Sequence, residues 1–300
     1  MNKSKLLMLL ALICALTFAV DAQQVKTQSE IELKPQNQFK DFKLNSKLMN
    51  REMPYRVIFP ANYETEKDKR YAVVYLIHGL FGHFNNWVDK SKLVGYAADY
   101  NYIIVTPEGN NGWYSDSATV PNDRYETYIA NELITEIDSK FRTIADRNHR
   151  AIGGLSMGGY GALKFGLKYP EKFILAGSFS GAVQIASYKN KEELPKGLLR
   201  NSVMATFGDV DTATKQSNDI FKLVDEMKAD KVAKLPFLYL SCGTEDELGL
   251  LSGNRLFADS LTKQKIPHEF RELPGKHNWT FWDDQANEFL RLSKKFISQK

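Results

Sequence analysis

Three hundred residues, 43% of them apolar, suit one sizeable globular domain. A formal net charge of +4, with no basic block carrying interleaved aromatics, argues against a nucleic-acid partner. Of two cysteines, Cys14 falls in an apolar leader and Cys242 is then left without a disulfide partner, so stability has to come from the core.

The leader, residues 1–22, reads as a signal peptide. Lys3 and Lys5 supply a positive start, Leu6 to Val20 is too short for a comfortable membrane span, and Val20-Asp21-Ala22 offers small residues for cleavage. The mature chain is then expected to begin at Gln23, exported to a periplasm or outside the cell, with no span remaining. Residues 23–36 are polar and aperiodic, a tether; residues 37–300 are expected to form one domain.

From Phe39 the pattern turns strand-like. Phe39, Phe42 and Leu44 lead into one strand and Tyr55 to Pro60 form a second, with Asn50-Arg51-Glu52 near the turn between them. Tyr71 to Ile77 and Tyr102 to Thr106 are near-continuous apolar runs, as expected of strands covered on both faces of a mainly parallel sheet. Tyr125, Ile129, Leu133, Ile137 and Phe141 recur every four residues and predict a helix packed on that sheet. Phe173 to Phe179, Phe237 to Leu240 and a weaker Glu269 to Leu273 continue the strands, and Trp282 to Phe296 marks a closing helix. This alternation predicts an α/β fold with a mainly parallel central sheet, preceded by an antiparallel pair. Gly181 to Pro236 breaks the alternation. Such an insert sits either above the strand ends, where α/β enzymes bind ligands, or on the surface as decoration.

Chemistry concentrates in Gly153 to Ala162. Gly154-Leu155-Ser156-Met157-Gly158 reads G-x-S-x-G, the pattern of a nucleophile elbow, whose strained serine requires small residues two before and two after. His149 to Ile152 reads as the strand entering the turn and Ala162 to Lys168 as the helix leaving it, ended by Tyr169-Pro170. A serine hydroxyl needs a base, and the base an orienting acid. Two histidines follow Ser156. His268 begins the last strand, where a structural role fits; His277 lies in the strand-to-helix loop Leu273 to Trp279, where a base is needed. The acid is expected after the strand ending at Leu240, where Glu245, Asp246 and Glu247 are not separated by position alone. The oxyanion needs two backbone donors: the amide of Met157, and that of Leu80 in the loop His78-Gly79-Leu80-Phe81-Gly82. His78 and His83, five apart without a cysteine or paired carboxylate, make a weak metal site, and no metal or cofactor is expected.

Together, Gly153 to Ala162, His78 to Gly82, Cys242-Gly243-Thr244-Glu245-Asp246 and Pro274-Gly275-Lys276-His277-Asn278-Trp279 resemble the esterase D group of α/β-hydrolases. That group includes tributyrin esterases, S-formylglutathione hydrolases, feruloyl and acetylxylan esterases of carbohydrate esterase family 1, and mycolyltransferases. The likeness is nearest to the tributyrin- and feruloyl-esterase branch, through Asn85-Asn86-Trp87, Pro107-Glu108-Gly109, Trp113-Tyr114-Ser115-Asp116 and Arg124-Tyr125-Glu126. It implies an α/β-hydrolase fold with an insert over the active site, and a serine esterase with Ser156 as nucleophile, Asp246 as acid and His277 as base. Lys189 to Arg200 matches the family poorly.

The substrate expected is a small ester or an acylated oligosaccharide. On the loop after Thr106, Trp113 and Tyr114 are candidates for an aromatic wall, with Asn110 and Asp116 hydrogen-bonding hydroxyls; anchoring of the loop by the two aromatics is the alternative. With export, the resemblance favours feruloyl or acetyl groups on plant-type polysaccharide. The rival readings are a general short-chain esterase, an acyltransferase using the same triad, and a non-catalytic binding module.

Overall fold

The apolar runs become strands, and their alternate residues serve two different cores. The computed structural model describes residues 38–297 apart from Pro195 and Asp211. The expected signal peptide (1–22) and tether (23–36) lie outside the described residues. An antiparallel hairpin, β1 (Phe39–Ser46) and β2 (Arg51–Ile58), is followed by β3 (Val73–Ile77), β4 (Ile103–Pro107), β5 (Arg150–Leu155), β6 (Leu175–Phe179), β7 (Phe237–Gly243) and β8 (His268–Leu273). These form one sheet in the order β1-β2-β4-β3-β5-β6-β7-β8, parallel from β4 through β8. Among the described residues, β1 and β8 are its outermost strands. The incomplete burial of β8 explains its weaker apolar signal.

Val73, Tyr75 and Ile77 face one core, shared with the helices Met157–Lys168 and Leu250–Lys263 and the helical stretch 125–140. Val74 and Leu76 face the other, closed by the helices Leu93–Tyr100 and Trp279–Ser293. Two-residue alternation along a strand produces this division, and it removes all five β3 side chains from water.

The four-residue spacing from Tyr125 has a structural counterpart. On an ideal α-helix a period of four drifts about 40° per repeat. Here α-helical ends, Tyr125–Thr127 and Ile134–Lys140, flank a π-helical stretch, Tyr128–Leu133. The wider turn takes up part of that drift, and all five repeat residues stay buried.

After β6 the insert folds into short helices, chiefly Leu198–Phe207, Ala213–Asn218 and Ile220–Asp225. Ser156, Gly181, Asp246 and His277 all follow the carboxyl ends of parallel strands, as do His78 and Glu108. Loops gathered at that end of an open α/β sheet form its binding crevice.

Candidate active site

The elbow is a steric construction. Ser156 has φ 52° and ψ −115°, a conformation costly for a residue with a Cβ. Its amide donates to Phe179 O, and its carbonyl accepts from the Tyr160 and Ala182 amides. The turn is so tight that a Cβ on Gly154 would lie 2.6 Å from Gly158 O, and one on Gly158 would lie 2.4 Å from Ile77 O. The helix therefore starts at Met157, earlier than the sequence pattern suggested, with Ser156 at its N-terminus.

The structure brings Ser156, His277 and Asp246 into one line. His277 Nε2 lies 3.0 Å from Ser156 Oγ, and Nδ1 lies 2.8 Å from Asp246 Oδ2. A carboxylate accepts only, so Nδ1 carries a proton and Nε2 is the nitrogen able to accept from the serine. The Asp246 side chain is fully enclosed, and its Oδ1 accepts from the Leu248 amide. The Trp282 ring packs perpendicular to the imidazole, with ring centroids 4.9 Å apart. The three neighbouring carboxylates are separated by geometry: Asp246 meets the ring, Glu247 accepts the His277 backbone amide at 3.1 Å, and Glu245 is exposed. His268 starts β8 and bonds Ile266 O through Nδ1, away from this line.

Behind the Leu80 loop is a cluster around the buried Glu108 that the sequence reading did not anticipate. Glu108 faces His78 Nε2 at 3.1 Å and His83 Nδ1 at 3.3 Å, and accepts from the Asn110 and Phe84 amides. Burial raises the Glu108 carboxyl, but the hydrogen bond and charge of His78, helped by those amides, outweigh it and hold the pKa at about 2. The only sequence signal was a glutamate directly after an apolar strand.

A cavity of about 740 Å³ opens above Ser156 and His277. Its walls include Leu80, Trp113, Val183, Ile185, Leu199 and Trp279, so the insert roofs the site and is not surface decoration. Lys90 also faces the cavity, its ammonium 5.7 Å from the Trp279 ring centroid.

The loop after β4 requires correction. Trp113 lines the cavity, its Nε1 donating to Ser202 Oγ. Tyr114, expected beside it as a substrate wall, is fully buried: its hydroxyl donates to His78 O, and its ring lies where side chains on Gly109 and Gly161 would be. Asn110 and Asp116 do not line the cavity either. Asn110 Nδ2 donates to Tyr125 OH, and the Asp116 carboxylate accepts from the amide and hydroxyl of Thr127. Their polarity serves loop folding, as the side chains of Asn and Asp commonly do in turns.

Lys164 was also missed. It is fully buried on the helix that leaves the elbow, and its ammonium reaches Tyr114 O, Ser115 Oγ, Asn218 Oδ1 and Glu126 Oε2, all within 2.8 Å. Elbow helix, Trp113 loop and insert are thereby tied to one cation. A lysine inside the apolar run Ala162 to Leu167 was the available clue.

Comparison with known proteins gives the family. Residues 46–291 match the model of the Esterase family. An acetyl esterase of Caldicellulosiruptor saccharolyticus is 30% identical over 261 residues, 83% of this chain and 96% of that protein. An esterase of Mycobacterium tuberculosis is 30% identical over 243 residues, 74% of this chain but 51% of its own length. Among solved structures, a ferulic acid esterase superposes with a TM-score of 0.72 at 27% identity, covering 87% of this chain and 98% of that one. An S-formylglutathione hydrolase from Agrobacterium tumefaciens, at 22% identity and a TM-score of 0.72 over 87% of this chain and 95% of its own, shares the fold. The chain belongs to the Esterase family and is a carboxylic ester hydrolase built on the α/β-hydrolase fold.

Proposed function

We propose that the chain is an exported serine esterase that removes feruloyl or acetyl groups from plant-type polysaccharide or oligosaccharide. The observation that carries this reading is the unbroken line Asp246–His277–Ser156, opening into a mainly apolar cavity. His277 Nε2 takes the Ser156 proton as Oγ attacks the ester carbonyl. The oxyanion is met by the amides of Met157 and Leu80, and Asp246 stabilises the imidazolium. His277 gives the proton to the departing alcohol; it then takes one from water as the water oxygen attacks the acyl carbon, and passes it to Ser156 Oγ as the Oγ–acyl bond breaks and the acid leaves. Neither donor amide is committed to an acceptor among the described residues.

The substrate class is supported by the acetyl esterase and ferulic acid esterase similarities and by the apolar lining, where Trp113 offers a ring surface to an aromatic acyl group. Export is supported by the leader pattern of residues 1–22. The test is a panel of ferulate, acetate and butyrate esters, each on p-nitrophenol and on a xylo-oligosaccharide, with Ser156→Ala as control. Higher kcat/KM for ferulate or acetate on the oligosaccharide is expected, since remote sugar contacts lower the barrier. Equal rates on both carriers, or a preference for butyrate, would mean a general short-chain esterase.

A further inference from the structure

Among the described residues, the peptide joining Gly79 to Leu80 is gripped from one side only. Gly79 O accepts from His78 Nδ1 at 2.8 Å and from the Gly82 amide at 3.0 Å. A carbonyl cannot donate, so Nδ1 carries its proton whatever the state of Nε2. A trans peptide points its N–H opposite to its C=O, so the Leu80 amide faces away from His78. Gly79 lies directly against the nucleophile: a Cβ built on it would sit 3.4 Å from Ser156 Cβ.

The imidazole itself cannot turn. Nε2 lies 3.1 Å from Glu108 Oε1, to which it donates when protonated, and 2.9 Å from the Gly109 amide, from which it accepts when not, and Tyr114 OH holds the His78 carbonyl at 2.9 Å. Asn111 Oδ1 accepts the Phe81 amide at 2.8 Å and fixes the far side of the loop, where Phe81 has a φ of 61°.

We propose that His78 is a positioning residue: anchored by Glu108, its Nδ1–H sets the Gly79–Leu80 peptide so that the Leu80 amide meets the oxyanion as it forms. This rests on the reading of Ser156 as nucleophile and Leu80 as oxyanion donor. A misdirected donor harms the transition state more than the bound ester, so kcat should fall while KM stays nearly constant. Losing one such donor outright costs about 10²–10³-fold in kcat, and misaiming it should cost about 10–100-fold.

Two substitutions separate aiming from mere space-filling. His78→Asn places an amide N–H near the Nδ1 position and gives up the link to Glu108; His78→Gln does the reverse. With p-nitrophenyl acetate, the Asn variant should keep kcat within about fivefold of the parent. The Gln variant should lose about 10–100-fold in kcat, with KM within threefold and a parallel loss of affinity for an aryl trifluoromethyl ketone, which forms a tetrahedral oxyanion on the serine. The opposite order, a loss carried by KM, or undiminished ketone affinity in the Gln variant overturns the proposal. Should the Gln variant not fold, the Asn variant decides alone: near-parent kcat and ketone affinity support the proposal, and a loss above tenfold overturns it. Ser156→Ala runs beside them. If it stays active the serine reading fails; if it is inert and the Gln variant is unimpaired, only the role of His78 fails.

Discussion

The floor and the roof of the cavity are built on different terms. On the floor, each reacting or supporting group is held by several partners: His277 lies between Asp246 and Ser156, and Glu108 lies among two histidines and two amides. The roof, from Gly181 to Pro236, reaches the cavity through apolar side chains such as Val183, Ile185 and Leu199, while Leu198 stands 70% exposed. Polar geometry has one solution at a given position, whereas apolar contact has many. On the proposed mechanism the floor sets the reaction and the roof sets which ester is taken, and substitutions should divide accordingly.

The largest effect belongs to the floor. Asp246→Asn should lower kcat by about 10⁴-fold through loss of the orienting carboxylate. Glu245→Gln and Glu247→Gln, at exposed side chains, should stay within about threefold. Steady-state kinetics on all three variants decides the matter, and a more damaged Glu247 variant would move the acid to that residue.

Next comes the cation that joins floor to roof. Lys164→Met strands the buried Glu126 carboxylate and should cost about 3–5 kcal/mol in urea unfolding. The pH dependence gives a second reading. Burial raises Glu126, but Lys164 and Lys168 outweigh it and hold the pKa at about 2, below the unfolded value of 4.5. Its contribution is thus complete above pH 4.5 and lost as pH falls through about 2. With Lys164→Met the folded value moves up toward the unfolded one, so the Glu126 share of the stability lost between pH 4.5 and about 2 should shrink; an unchanged acid limb would show that Lys168 alone holds the carboxylate.

Gly158→Ala is smaller in stability and mixed in kind. The new methyl must displace Ile77 O or His78 O, both backbone, at 2.4 Å and 2.6 Å. About 1–3 kcal/mol of destabilisation is expected from the overpacking. As the elbow and the Leu80 loop separate, kcat should drop about 10–100-fold. Full activity in a folded Gly158→Ala chain would contradict the close approach.

The smallest change is in the roof. Ile185→Ala should leave the thermal midpoint nearly unchanged and shift the kcat/KM ratio of ferulate over acetate esters by about tenfold, the scale of a lost apolar contact. Equal scaling of both substrates would assign Ile185 to the frame.

The same division explains what could be read from the chain. Gly154, Ser156 and Gly158 were legible because the backbone there admits almost no other residues, and β3 because burial on both faces leaves a continuous apolar run. His277 was selected over His268 by its loop. Asp246 was set apart from its neighbours by the resemblance and not by position, since which carboxylate turns inward depends on where β7 and β8 end relative to each other. The loop from Asn110 to Asp116 misled for a related reason. Trp113 and Tyr114 are adjacent, both at positive φ, yet one ring faces the cavity and the other lies beneath the loop. Side-chain direction after an irregular turn follows from packing, and no periodicity records it.

The two outermost strands among the described residues bear on how the chain behaves in a crowded solution. β1 exposes Lys40, Asp41 and Lys43 along its length, and on β8 Arg271 is paired with Glu288 while Glu272 is paired with Arg255. A strand adding to either edge would have to strip water from these charges and break those pairs, with no compensating partner. Unfinished backbone is thus presented only behind a charged fringe, and the sheet is guarded against templating fibrils at concentrations where a bare apolar edge would seed them.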